Sequence, residues 1–189
     1  MPPKIRVTRE QILDAAMAIV RESGVDALNA RAIAKRIGSS TQPIFSNYRD
    51  MNALHEDVMR SSYAVFTQLL AAEAESGRYP PYKASGMAYI RFAREEPQLF
   101  RAFFMRNRTP LEQIKDDDAF MQGAKDVVES AGIPADEATS FHLSMWFFVH
   151  GIATLLATGY LTLPEEEISR RITDVYLGLK MKFKGEDNG

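Results

Sequence analysis

The segment Ser40-Thr41-Gln42-Pro43-Ile44-Phe45-Ser46-Asn47-Tyr48 gathers side chains suited to reading a nucleic-acid duplex. Gln and Asn amides present a paired donor and acceptor that match adenine edges, and Ser and Thr hydroxyls reach bases or phosphates. Phe45 can pack on a sugar or a thymine methyl. Lys4, Arg6, Arg31 and Arg49 supply positive charge for the phosphate backbone. The candidate DNA contacts are therefore Asn29, Arg31, Ser40, Thr41, Gln42, Pro43, Phe45, Ser46, Asn47, Tyr48 and Arg49. Ile44 and Tyr48, four apart, can also turn inward together.

Such a reading edge needs elements that hold it out. Thr8 and Gln11 have capping-box spacing and predict a helix from about Thr8 to Ser23, with Ile12, Ala15, Ala16, Ile19 and Val20 on one face. Gly24 ends it. Asn29 is a natural cap for a short second helix, Ala30 to Ile37, with Ile33, Ala34 and Ile37 apolar. Gly38 and Ser39 then make a tight turn into the Ser40–Tyr48 segment, where Pro43 falls in the first helical turn and loses no intrahelical bond. Two short helices joined by a Gly-containing turn, the second polar outward, fit a helix-turn-helix. A helical hairpin with a solvated polar face would give the same pattern.

Composition bounds the rest. The chain has 189 residues, 46% hydrophobic and 25% charged, which is globular composition. It has no cysteine, so disulfides, thiolate chemistry and Cys-based metal sites are excluded. Residues 1–50 carry eight Lys/Arg against five Asp/Glu, whereas the whole chain is at −2. A mildly basic head thus precedes an acidic body. The opening Met-Pro-Pro-Lys has no apolar run of the secretory type. Leu143 to Leu163 lacks formal charges and is long enough to span a membrane, but Ser144, His150, Thr154, Thr158 and Thr162 interrupt it. A helix buried on most sides explains it better, and a cytoplasmic protein without a membrane partner is expected.

From Thr8 to about Met59 the chain resembles the tetracycline-repressor family of transcriptional regulators. The resemblance lies in Thr8–Ala16, Gly24, Arg31-Ala32-Ile33-Ala34-Lys35-Arg36-Ile37-Gly38-Ser39-Ser40, and Phe45-Ser46-Asn47-Tyr48 followed by Leu54. It implies an all-α fold of about nine helices: a three-helix DNA-binding domain over residues 1–50, and a body over 51–189 that dimerises and binds an effector. The family usually carries Tyr at the position of Phe45 and Lys at that of Met51, both of them backbone contacts. Their loss implies weaker affinity and flatter salt dependence, with base reading unchanged.

In the body, helices are expected from Asp50 to Ser76, Tyr82 to Arg94, Pro97 onward, Leu111 to Ala131, Ala135 to Gly159, and Pro164 to Phe183. The middle is rich in Phe, Tyr and Met, which serve either as ordinary core or as adaptable walls of an apolar cavity. Phe66, Tyr89, Phe92, Phe100, Phe103, Phe104, Met121, Trp146 and His150 are the candidate ligand contacts, for an effector that is largely apolar or aromatic. Trp146-Phe147-Phe148-Val149-His150-Gly151 resembles a Trp…His-Gly signature of one C-terminal subgroup of that family, and His150, Thr154 and Thr158 recur every four residues. Ile168, Ile172, Val175 and Leu179 form a packing seam. With Gly151, Leu155 and Thr158 they are candidates for a homodimer interface, an intersubunit four-helix bundle being what the resemblance implies. Intramolecular packing accounts for the seam equally well.

Catalysis finds little support. Only His55, His142 and His150 occur, with no phosphate loop, no HExxH and no nucleophile elbow, and no cofactor is called for. The expectation is a ligand-responsive DNA-binding regulator that a small molecule releases from a pseudo-palindromic operator. The alternative is a small-molecule carrier or sensor that binds no DNA.

Overall fold

A computed structural model of the chain describes residues 7–107 and 110–185; for 110–120 and 184–185 it describes the backbone alone. The described residues form nine α-helices and no strand: α1 (Arg9–Ser23), α2 (Ala30–Arg36), α3 (Gln42–Asn47), α4 (Met51–Glu75), α5 (Pro81–Glu95), α6 (Pro97–Phe104), α7 (Pro110–Ala131), α8 (Ala138–Ala157) and α9 (Glu165–Gly185). Two compact units divide them. One holds the chain up to Gln68 together with Glu95–Arg106; the other holds Leu69–Arg94 and the chain from Asn107 onward.

In the first unit, α1 packs against α2, α3 and α6. Its start is the expected capping box: Gln11 N–H donates to the Thr8 hydroxyl and Thr8 N–H to the Gln11 side chain. The expected stripe, Ile12, Ala15, Ala16, Ile19 and Val20, is buried, with Met17 beside it. Each large aliphatic chain so buried contributes roughly 1.5–3 kcal/mol. Asn29 caps α2 by accepting from Ala32 N–H. The turn after α2 runs through Gly38 at φ +66, and Ser39 N–H closes back onto the Ala34 carbonyl. Asp50 caps α4 through Ala53 N–H. Tyr63, Phe66, Phe100, Phe103 and Phe104 form one aromatic cluster, with Tyr63 stacked on Phe103 at 5.5 Å and Phe66 edge-on to Phe104 at 5.6 Å.

In the second unit, α8 lies between α7 and α9. It begins at Ala138, three residues later than the sequence pattern suggests, because the chain after Pro134 first makes a turn closed by Glu137 N–H onto the Pro134 carbonyl. Gly123 lets α7 and α8 approach: a Cβ there would stand 2.7 Å from the His142 ring. His142 Nδ1 meets the Tyr82 hydroxyl at 2.8 Å. Burial, against a smaller opposing pull from Asp126, holds the His142 pKa below the usual imidazole value.

Two expectations about this unit need correction. The apolar α8 is not buried on most sides: it is long and apolar enough to cross a membrane, yet only 33% of that stretch is buried inside the protein. Leu143, Trp146, Phe147 and Leu155 remain exposed on it, as do Leu177 and Met181 on α9. Conversely, Ile168 and Ile172 are buried within the protomer and cannot serve as an open interface. Val175 and Leu179 are half-buried. The seam therefore turns its first half inward, under the clamp at the start of α9, where Glu165 pairs with Arg94 at 3.0 Å and with Arg78.

Candidate nucleic-acid interface and effector region

The α3 helix sorts its residues by depth. Ile44 is fully buried and anchors it on α1, while Gln42, Phe45 and Ser46 face solvent. Phe45 is 51% exposed, far beyond what an aromatic ring on a packed helix needs. Ser40, Arg31 and Arg49 are exposed; Thr41 and Pro43 are half-buried. Asn29 is exposed, but its side chain is occupied at both ends, accepting from Ala32 N–H and donating to the Ala27 carbonyl. Arg49 lies 3.3 Å from Asp50. Lys4 and Arg6 lie outside the described residues.

Tyr48 is not on the reading face, which corrects its place among the candidate contacts. It is 2% exposed, and its hydroxyl donates to Asp57 Oδ2 at 3.1 Å. Asn47 is half-buried, its amide nitrogen donating to the Pro43 carbonyl at 2.8 Å and the Val7 carbonyl at 3.4 Å. It therefore locks the end of α3 with the nitrogen that was expected to meet a base.

Beneath these residues lies a knot that the sequence pattern did not reveal. Asp57 on α4, itself buried, accepts at Oδ2 from Arg9 Nε (3.1 Å) and Nη2 (2.7 Å) as well as from Tyr48, and Arg60 reaches Oδ1 at 3.1 Å. The Arg9 guanidinium also lies 4.2 Å over the Tyr48 ring and donates to the Asn47 carbonyl. Burial pushes the Asp57 pKa up, but hydrogen bonds from Arg9 and then Tyr48 outweigh it, so the carboxyl sits below its usual range. Burial, helped by Asp57, raises the Tyr48 phenol and keeps it protonated as a donor. On the outer side of the same head, Arg36 forks onto Glu22 at 2.6 and 2.7 Å.

The ligand candidates are divided between the two units. Phe66, Phe100, Phe103 and Phe104 fall in the aromatic cluster of the first unit; Tyr89, Phe92, Met121, Trp146 and His150 fall in the second. There, His150 Nδ1 meets the Tyr89 hydroxyl at 2.8 Å, and Trp146 stacks on the His150 ring at 5.0 Å and 15°. Phe92 and Phe100 are fully buried, and Met121 is exposed. One turn beyond His150, the Thr154 hydroxyl is buried with no hydrogen-bond partner among the described residues. A small crevice elsewhere in this unit is lined by Glu73, Arg91, Met87 and Ile168 and includes none of the ligand candidates.

Residues 82–176, half of the chain, match the family described as tetracyclin repressor-like, C-terminal domain. The chain belongs to the tetracycline-repressor-like family. It is accordingly a DNA-binding, ligand-responsive transcriptional regulator and not an enzyme, and the carrier without DNA binding falls away. It is 23% identical over 160 residues to the uncharacterized HTH-type transcriptional regulator YobS of Bacillus subtilis, covering 83% of each chain. It is 27% identical over 105 residues to the tetracycline repressor protein class D of Escherichia coli, covering 54% of this chain and 42% of that one. Among solved structures, a protein of unknown function from Rhodococcus sp. RHA1 superposes with a TM-score of 0.74 at 23% identity, over 95% of this chain and 100% of the other. A TetR-like transcriptional regulator from the same organism superposes with a TM-score of 0.66 at 15% identity over all of both chains.

Proposed function

We propose that this family member is a homodimeric, cytoplasmic repressor in which residues 1–50 bind a pseudo-palindromic operator and residues 51–189 dimerise and receive an effector. The observation that carries the reading is the split of α3: Ile44 and Tyr48 hold it from below, and Gln42, Phe45 and Ser46 stand outward. Gln42 reads a base edge, Phe45 packs on sugar or a thymine methyl, and Arg31 and Arg49 neutralise phosphate. Without the Tyr and Lys usual at Phe45 and Met51, fewer backbone contacts remain, and affinity rests more on those two arginines.

The dimer face is the uncovered stripe of α8, Leu143, Phe147, Gly151, Leu155 and Thr158, joined by Leu177 and Met181 of α9. Among the described residues beyond its neighbours and its own helix backbone, nothing lies within 4 Å of a Cβ built at Gly151, so this glycine leaves a notch in the stripe for a partner helix. Two reading helices about 34 Å apart then meet successive major grooves. The effector is largely apolar or aromatic and carries one group able to bond the Thr154 hydroxyl beside the Tyr89–His150–Trp146 set; by binding a wider-spaced conformation more tightly, it withdraws the protein from DNA.

The test uses a duplex recovered from a random-sequence pool by the wild-type protein. Gln42→Ala is expected to lower discrimination against single-base variants by about 1–3 kcal/mol with the salt slope intact, whereas Arg31→Ala lowers the slope by about one. Unchanged discrimination in Gln42→Ala refutes the reading.

A further inference from the structure

The six residues of α3 span only about 9 Å, and a helix that short has no stability of its own in water. Its first turn adds little: Thr41 makes no side-chain cap bond, and Pro43 has no N–H to give. Ile44 is its one fully buried side chain, and a single apolar anchor fixes depth but not rotation. What fixes rotation is the other end. There Tyr48, the C-cap residue, is tied through its hydroxyl to Asp57; Arg9 is tied to the same carboxylate oxygen and to the Asn47 carbonyl; and Asn47 is tied to Val7. Three chain segments, the start of α1, the end of α3 and α4, thus meet at one buried carboxylate.

We propose that Asp57 is a positioning residue for base reading: it holds Tyr48 and Arg9 together so that α3 presents Gln42, Phe45 and Ser46 in a single register. The proposal rests on α3 being the DNA-reading helix. It also gives Arg9 a part that its charge alone would not suggest. With two donors committed to Asp57 and a third to the Asn47 carbonyl, Arg9 braces the head instead of neutralising phosphate. A duplex contacted by a loosely aimed α3 still offers its phosphates to Arg31 and Arg49, so loss of the brace costs selectivity before it costs general affinity.

The experiment uses the full chain as its natural assembly, a duplex selected from a random pool by the wild-type protein, and a scrambled duplex of equal composition. The quantity read is the ratio of the two affinities. Asp57→Asn keeps the size of the side chain but removes its charge, and is expected to lower the ratio on the order of 10- to 100-fold. Affinity for the scrambled duplex and its salt slope stay within about twofold of wild type. Arg9→Gln, at a half-exposed side chain that folding tolerates, is expected to lower the ratio roughly three- to tenfold, and the double variant to fall no further than Asp57→Asn alone. If Asp57→Asn fails to fold, Arg9→Gln decides.

A ratio within about twofold of wild type in the folded variants overturns the proposal. So does a parallel loss on both duplexes with a shallower salt slope, which would make Arg9 a phosphate contact. Failure of the underlying reading looks different: the wild type selects no sequence, or Gln42→Ala leaves the ratio untouched, and the proposal falls with it.

Discussion

Truncating Phe147 should take the assembly apart while leaving the protomer folded. The ring is 59% exposed in the single chain, at the middle of the open α8 stripe. An aromatic side chain presents roughly 150–250 Å², so about 120 Å² of Phe147 is open to solvent in the protomer and would be buried in the proposed dimer. At about 25 cal/mol/Å² that is close to 3 kcal/mol for each copy. Phe147→Ala keeps the Cβ and forfeits about two-thirds of it, or about 2 kcal/mol. A two-fold interface uses the residue twice, so the dimer loses about 4 kcal/mol, roughly a thousandfold in dissociation constant. Sedimentation equilibrium across a concentration series reads this directly. Ile172→Ala is the counterpart: buried inside the protomer, it should cost about 2–5 kcal/mol of unfolding stability and leave the dissociation constant of the folded dimer unchanged. A shift below about tenfold for Phe147→Ala, or dissociation caused by Ile172→Ala, refutes the assignment of the interface to the α8 stripe.

Other consequences follow from single side chains. Thr154→Val removes a buried hydroxyl that has no partner among the described residues, so the ligand-free protein should gain up to about 1 kcal/mol in thermal unfolding, while the affinity of any effector that bonds this hydroxyl falls. Gly123→Ala drives a methyl against the His142 ring and should cost about 1–3 kcal/mol, seen as a lowered melting temperature. Asp57 has a depressed pKa in the folded state, so its contribution to stability is present above the unfolded value, near pH 4, and is lost as pH falls through the lower folded value. Asp57→Asn should therefore flatten the acid limb of a stability profile measured from pH 5 to pH 2, and an unchanged limb would contradict the pairing.

What the sequence made legible was what neighbours in sequence decide. The Thr8/Gln11 capping box and the Asn29 cap are local bonds over three residues, and both are present. Periodicity also told which residues share a face, but not what covers that face. Ile168 and Ile172 share one and are covered by their own protomer; Leu143 and Phe147 share another and are not covered at all. The Arg9–Asp57 pair joins residues 48 apart, beyond the reach of any spacing rule. One signal was there to be used: Asp57 interrupts the buried Leu54–Val58 stripe of α4, and an acid on such a stripe needs partners. Nothing comparable marks Arg9, whose side chain is half exposed.

The division of labour within α3 has a consequence for change over time. Side chains that meet solvent at Gln42, Phe45 and Ser46 contribute little to keeping the head folded, whereas Ile44 and Tyr48, which hold the helix down, are buried. Exchanging the former leaves Ile44, Tyr48 and Asp57 undisturbed. The mounting stays while the key cut into it varies, so this head can be sent to a new address in a genome by a few surface substitutions, none of which has to be compensated within the protein.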